Sequence, residues 1–229
     1  MLPNVKVIIP ALNEEASIGK VLEDVPFNLV SEVVVVDNGS IDGTIRVAKS
    51  FGVTVLRENR RGYGSACQAG INYLAMKNES IDIVVFLDGD YSDYPKEMEK
   101  VLEPILTGKA DLVIGSRRKG VSEKGSMTFP QVFGNWLATF LLRIFYGVHF
   151  TDLGPFRAIK FESLLGLKLI DNNYGWTVEM QLKAAKKGLK CVEVPVSYRK
   201  RIGKSKVSGT VKGTILAGYK ILWIIFKYL

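Results

Sequence analysis

The chain is poor in the residues that carry most metal and nucleophilic chemistry. It holds one histidine, His149, and two cysteines, Cys67 and Cys191, in 229 residues. Two cysteines make neither a disulfide framework nor a thiolate metal site. A single histidine excludes a histidine-rich metal centre, and it leaves a Ser-His-Asp or Cys-His mechanism only if His149 itself serves. With 8 prolines, 22 glycines and 47% hydrophobic residues, collagen, low-complexity polymer and wholesale disorder are excluded. No run reaches the roughly 18 uncharged apolar residues of a membrane span; the longest, 215–229, is broken by Lys220 and Lys227. The start shows no basic and apolar signal regions, because Met1-Leu2-Pro3-Asn4 leads straight into an apolar run. The expectation is a cytoplasmic protein, peripheral at the cytoplasmic membrane face if attached there.

Acidic residues are nearly missing from one end. Residues 183–229 hold 12 Lys/Arg against one acid, Glu193, although the whole chain is only +8. A basic end suits phosphate, whether on a nucleotide, a nucleic acid or a lipid surface; a merely solvated tail is the plainer alternative. Within it, Ile215, Leu216, Tyr219, Leu222, Trp223 and Phe226 share one face of a helix, with Lys212, Lys220 and Lys227 on a narrow opposite face. That wheel suits an interfacial membrane helix with snorkelling lysines. It equally suits a helix docked on its own domain or on a second subunit. The division read from this is a main domain over 1–208 and an amphipathic helix over 209–229, part of that domain or an appendage to it.

The first 115 residues alternate between apolar runs and helical patterns. Strands are expected at 5–9, 33–36, 53–56, 81–87 and 112–115. Asn13 is placed as a helix cap ahead of the stripe Ile18, Val21, Leu22 and Val25, which Pro26 ends. Strands that read as continuous apolar runs, separated by helices, argue an α/β fold with a mostly parallel sheet covered on both faces. The second half is less regular. Trp136, Phe140, Leu141, Ile144, Phe145 and Val148 recur at helical spacing, 177–187 reads as a helix, 191–196 as a strand, and 199–213 as a basic Gly/Ser-rich loop.

Ligands of open parallel sheets bind at the carboxyl ends of the strands. Those ends carry Pro10-Ala11-Leu12-Asn13-Glu14, Asp37, Arg57 with Asn59, and Asp88-Gly89-Asp90. The two carboxylates, joined by a glycine that permits a tight turn, can reach one cation, and oxygen ligands suit Mg²⁺ or Mn²⁺. Such an ion would neutralise a diphosphate. Taken alone, the pair is more often a polar turn.

It is not alone. Val7-Ile8-Ile9-Pro10-Ala11-Leu12-Asn13-Glu14, Val36-Asp37-Asn38-Gly39-Ser40-Ile41-Asp42-Gly43-Thr44, Asn59-Arg60-Arg61-Gly62-Tyr63-Gly64 and Leu87-Asp88-Gly89-Asp90 together resemble family 2 of the nucleotide-sugar glycosyltransferases, with their GT-A fold. Gly115-Ser116-Arg117, Asp152-Leu153-Gly154-Pro155-Phe156-Arg157-Ala158 and Tyr198-Arg199-Lys200-Arg201 followed by Gly203-Lys204-Ser205-Lys206 look like the branch that makes polyprenyl-phosphate sugars, such as dolichyl-phosphate mannose synthase. The resemblance covers nearly the whole chain. It implies a nucleotide-sugar pocket lined by Pro10, Ala11, Asn13, Glu14 and Gly89, with Asp37 at the base. Gly62 and Gly64 would let the backbone approach the donor. Asp88 and Asp90 would hold the metal, which makes Asp90 essential to catalysis. Arg117, Arg199, Arg201 and Lys206 would meet an acceptor phosphate, and Asp152 matches the position of a base, with Glu179 a weaker choice. Two departures stand out: Asn38 where the family more often has Asp, and Ser92 where the branch often has Gln.

The reaction implied is an inverting transfer of a hexose, glucose or mannose, from a UDP- or GDP-linked donor to polyprenyl or dolichyl phosphate. The partners implied are the donor, a lipid phosphate and a membrane surface, with a homodimer or a separate membrane anchor left open. A soluble transferase acting on a saccharide or small metabolite is the alternative, and it would need a general base because a sugar hydroxyl is not ionised. Nucleic-acid binding through the basic end is a distant third, since its aromatics lie on an apolar helical face and not among the lysines as a stacking platform.

Overall fold

A computed structural model describes residues 3–203 and 211–229, apart from the side chains of residues 211 and 212. Seven strands form one sheet: β1 Val5–Ala11, β2 Glu32–Asp37, β3 Thr54–Arg57, β4 Ile83–Phe86, β5 Leu112–Ser116, β6 Arg157–Lys160 and β7 Cys191–Pro195, in the spatial order β3-β2-β1-β4-β6-β5-β7. Pairing is parallel except at β6, which runs antiparallel to both β4 and β5. The apolar runs are explained by burial on both faces. Ile8, Val34, Val84, Phe86 and Ile114 point into one core layer, while Val7, Ile9, Val35, Val85 and Val113 point into the other.

The helices are α1 Ile18–Asp24, α2 Thr44–Ser50, α3 Tyr63–Ala75, α4 Met98–Leu106, α5 Phe129–Tyr146, α6 Phe161–Leu167, α7 Trp176–Lys186 and α8 Val211–Lys227. Asn13 does not cap α1, contrary to expectation. It lies five residues upstream at φ 52°, a left-handed conformation that asparagine tolerates, and Ser17 takes the cap position. β6 and α6 have no counterpart among the expected elements. The strand is only four residues long and is bounded by Arg157 and Lys160, so it shows no apolar run.

Helix α5 forms where its spacing predicts, with a capping box between Thr128 and Gln131 and a left-handed Gly147 at its end. Its buried residues are Asn135, Ala138, Thr139 and Leu142. Trp136, Phe140, Ile144 and Phe145 instead stay exposed, and Phe129, Phe133, Trp136 and Phe140 contact each other in series along the outside. Helix α8 repeats this inversion. It buries Ile224 and Ile225 in the core and leaves Ile215, Leu216, Tyr219, Trp223 and Phe226 exposed. Lys220 is only partly exposed and does not stand free opposite that stripe. It turns inward to Asp171 at 3.0 Å, and Tyr228 donates its hydroxyl to Glu179 at 2.8 Å. Lys212 has its side chain outside the described residues. The Phe145 and Phe226 rings meet edge to face at 5.5 Å, so the outer faces of α5 and α8 join into one apolar surface.

Candidate active site

The carboxyl ends of β1, β2 and β4 open onto a cleft of about 540 Å³ that runs between α5 and α8. Pro10, Ala11, Glu14, Gly62, Asp88, Gly89, Asp90, Arg117 and Arg201 all line it, as the strand-end reading expects. Asn13, Asp37, Gly64, Asp152 and Arg199 do not, and Lys206 lies outside the described residues.

The residues behind the nucleotide end brace it. Asn13 donates its backbone N–H to Ser40 Oγ at 2.8 Å and accepts from the Ile41 N–H at 2.9 Å, which ties the β1 loop to the β2 loop. Asp37 is fully buried and accepts from the Gly39 and Ser40 N–H groups. Asn38 accepts from the Gly62 N–H at 2.7 Å and donates its amide to the carbonyls of Glu58 and Arg60. An aspartate could not make those two donations, so the departure at Asn38 has a structural use.

Gly62 and Gly64 answer to the protein's own backbone. A Cβ at Gly62 would sit 2.1 Å from the Asn172 carbonyl, and one at Gly64 2.2 Å from the Asp171 carbonyl. The close approach that their missing side chains permit in the protein itself is to segment 171–173, while Gly62 also lines the cleft and Gly64 does not. Gly64→Ala will therefore cost about 2 kcal/mol or more, read by urea unfolding; a cost below 0.5 kcal/mol would remove that packing as the reason for the glycine.

At the cation end, Asp90 is 4% exposed and Asp88 Oδ1 is buried with no protein hydrogen-bond partner. Burial first, and the Asp90 charge second, push the Asp88 carboxyl up to about 7 against the pull of Arg201. Asp93, three residues on, is buried too, and its carboxyl is pushed well up by burial and by its two acidic neighbours. An orphaned buried oxygen beside a second carboxylate fits a hard divalent cation. Among the described residues no group of three or more His, Cys, Asp or Glu is arranged to hold one. Oxygen atoms of a diphosphate would have to complete the set. Arg201 forms an ion pair with Asp90.

Arg117 and Asp152 make a single unit. Asp152 Oδ2 accepts from the Arg117 backbone N–H and from Nε, both at 2.8 Å, and Oδ1 accepts from Nη2 at 2.6 Å. This three-donor clasp holds the guanidinium at the cleft wall and over the Tyr198 ring. Glu193, the lone acid of the basic end, accepts from the N–H groups of Thr151 and Asp152, and Gln181 donates to the Asp152 carbonyl. Arg157 is fully buried beneath, donating to the carbonyls of Leu153, Gly154 and Thr177; burial lowers its guanidinium to about 10.

Arg199 is not a cleft residue. Its guanidinium lies 3.3 Å from the centre of the Tyr91 ring and 4.1 Å from that of Tyr94, and it donates to the carbonyls of Tyr91 and Asp93. Glu179 is fully buried and accepts from the Ile170 and Asp171 N–H groups and from Tyr228, with Lys183 at 2.7 Å. It is a structural anchor for α8. Arg61, Tyr198 and Asn135 also line the cleft. Tyr198 and Arg61 stand inside the quoted motifs, whereas Asn135 sits in a helix whose spacing marks only its aromatic face.

The model for "Glycosyl transferase family 2" matches residues 6–166. An uncharacterized glycosyltransferase of Mycobacterium tuberculosis is 38% identical over 93% of this chain and 94% of its own length. An undecaprenyl-phosphate mannosyltransferase of Micrococcus luteus is 34% identical, covering 90% of this chain and 88% of its own. Among solved structures, glucosyl-3-phosphoglycerate synthase of Mycobacterium tuberculosis, in complex with Mn²⁺, UDP-glucose and phosphoglyceric acid, superposes with a TM-score of 0.76 at 24% identity, over 98% of this chain and 79% of that one. That likeness shows the GT-A arrangement of strands and helices.

Proposed function

Because this chain belongs to glycosyl transferase family 2 and is a glycosyltransferase, we propose that it transfers a hexose from a UDP- or GDP-linked donor, with inversion, to a polyprenyl phosphate at a membrane surface. The observation that carries this reading is the path of the cleft. It runs from Asp88 and Asp90, past Arg117, to Gly134 of α5 and Ala217, Gly218 and Ile221 of α8. Those two helices present the joined apolar surface outside. A lipid phosphate seated between them would place its charge at Arg117 and its chain at that surface. No helix among the described residues is long and apolar enough to cross a membrane; the attachment proposed is through the joined apolar surface, lying at the membrane face.

In this reading Pro10, Ala11, Glu14 and Asn38 border the nucleotide. Asp88 and Asp90 would hold Mg²⁺ or Mn²⁺, which supplies positive charge to the leaving diphosphate. A phosphate oxygen attacks the anomeric carbon, the bond to the diphosphate oxygen breaks, and the nucleoside diphosphate departs. The attacking phosphate is already ionised at neutral pH, so no strong base is required. In this reading Asp152, with both oxygens engaged by Arg117, serves to position that guanidinium and not as the base that the resemblance implies. What the chain supplies is placement and charge.

The direct test offers the protein, with Mn²⁺, UDP-glucose or GDP-mannose and either undecaprenyl phosphate in phosphatidylglycerol vesicles or 3-phosphoglycerate. The expected product partitions into organic solvent. Sugar transfer confined to the water-soluble acceptor would replace the lipid reading with that of a small phosphorylated metabolite, the second reading, which the solved neighbour's phosphoglyceric acid complex favours. The apolar surface has its own test. Trp136 and Trp223 are 48% and 40% exposed, and the double change Trp136→Glu/Trp223→Glu should weaken vesicle sedimentation about tenfold or more. Unchanged sedimentation would hand that face to a second copy of the chain, which light scattering would detect.

A further inference from the structure

Segment 198–203 lies along the loop that carries the two cation-site carboxylates. Tyr198 pairs with Asp93 in an isolated bridge, the Arg199 N–H donates to the Ser92 carbonyl at 2.9 Å, and the Ile202 N–H donates to the Asp90 carbonyl at 3.0 Å. Arg199 is clamped between two tyrosine rings and forms a fixed post. Two residues on, the Arg201 guanidinium rests on the Asp90 carboxylate and lines the cleft. Its side chain is 26% exposed against 5% for Asp90, so this is a half-sheltered charge placed on a sheltered one.

A guanidinium here supplies Asp90 with the positive charge that a divalent ion would also supply. Two cations on one carboxylate repel each other strongly in a sheltered site. We propose that Arg201 is the resident counter-ion of Asp90 in the metal-free protein. Loading of a divalent cation displaces it from the carboxylate. The proposal rests on the assignment of Asp88 and Asp90 to the cation, and it does not depend on whether the acceptor is a lipid. The change required is local. The Arg201–Asp90 pair and one backbone hydrogen bond from Ile202 give way, while Arg199 stays in place.

The test measures Mn²⁺ binding to the full chain by loss of the free-ion EPR signal, with no nucleotide and no acceptor present. A site closed by its own residue binds with an affinity lowered by the fraction of time it stays open. Arg201→Ala should therefore bind Mn²⁺ about tenfold more tightly than the unaltered protein. Arg201→Lys, which keeps a cation, should stay within about threefold of the unaltered protein. Arg61→Ala removes a different cleft arginine, one beside Gly39, and controls for a general loss of positive charge. Thermal melting checks that each variant is folded. In a second measurement, hydrogen exchange at the Ile202 amide should be slow in the metal-free protein and fast once Mn²⁺ with UDP or GDP is bound. If Arg201→Ala gains no more than Arg61→Ala, or the Ile202 amide stays protected in the loaded protein, the displacement is wrong. Asp90→Asn separates the two layers. Loss of Mn²⁺ binding there, with no gain in Arg201→Ala, removes the counter-ion alone; Mn²⁺ binding that survives Asp90→Asn removes the cation assignment and the counter-ion together.

Discussion

Asp90→Asn will reduce turnover by about three orders of magnitude and leave the fold in place. Asp90 is one of two carboxylates just past the end of β4; it is buried, and Asp88 is half-buried with its Oδ1 fully enclosed. Loss of one charged group that stabilises a leaving group costs about 3–4 kcal/mol in the transition state. The fold has less at stake. Two neighbouring carboxylates repel each other, so the amide removes a repulsion as well as the ion pair with Arg201. Unfolding free energy should stay within about 1 kcal/mol of the parent, since those terms offset. The measurements are turnover of UDP-glucose or GDP-mannose at saturating Mn²⁺ and urea unfolding of the same samples. Retention of a tenth or more of the parent's turnover would take Asp90 out of the reaction. Asp90→Glu, which keeps the charge on a longer arm, should fall between the two.

How much of this was legible in the residues depends on the kind of interaction. β1, β2, β4 and β5 declare themselves because both faces are buried, which leaves uninterrupted apolar runs such as Val33–Val36. β6 does not, because its place between β4 and β5 is secured by a buried arginine and by neighbours far along the chain. For α5 and α8 the periodicity reveals a helix but not which stripe is buried. On α5 the small and polar stripe faces inward and the aromatics face outward, the reverse of what burial of large apolar side chains suggests. The site divides in the same way. Strand-end residues lie at the cleft because topology puts them there. The arginines could be named as cations, but their partners could not. Spacing holds no trace of Arg117 with Asp152, Arg201 with Asp90, Lys220 with Asp171, or Arg199 with the tyrosines of the cation loop. These contacts also change the reading of the charge asymmetry. Much of the basic end is matched within the molecule by carboxylates of the acidic body, including Asp24, Asp90, Glu123, Asp171 and Glu179.

The Arg117–Asp152 pair gives the other large effect, and a double-mutant cycle shows which kind of residue Asp152 is. The side chains are 12% and 1% exposed, so removing either one strands the other's charge in a sheltered place. Asp152→Ala and Arg117→Met should each cost about 3–5 kcal/mol in urea unfolding, whereas the double variant should recover all but about 1–2 kcal/mol, because no charge is left unmatched. Activity will not follow stability. The double variant, though refolded, still lacks the guanidinium and should stay at least about 100-fold below the parent toward a phosphate acceptor. Arg117→Lys keeps the charge but cannot make the three-donor clasp, and it should lose activity nearly as far. The pH profile decides between positioning residue and base. A base at position 152 requires an acidic limb in kcat that disappears in Asp152→Asn and survives in Arg117→Lys. A positioning residue predicts the same limb in both variants, with the loss expressed as a uniform drop across pH. Disappearance of the limb in Asp152→Asn alone would make Asp152 the proton acceptor, and the acceptor would then have to be a hydroxyl that needs one.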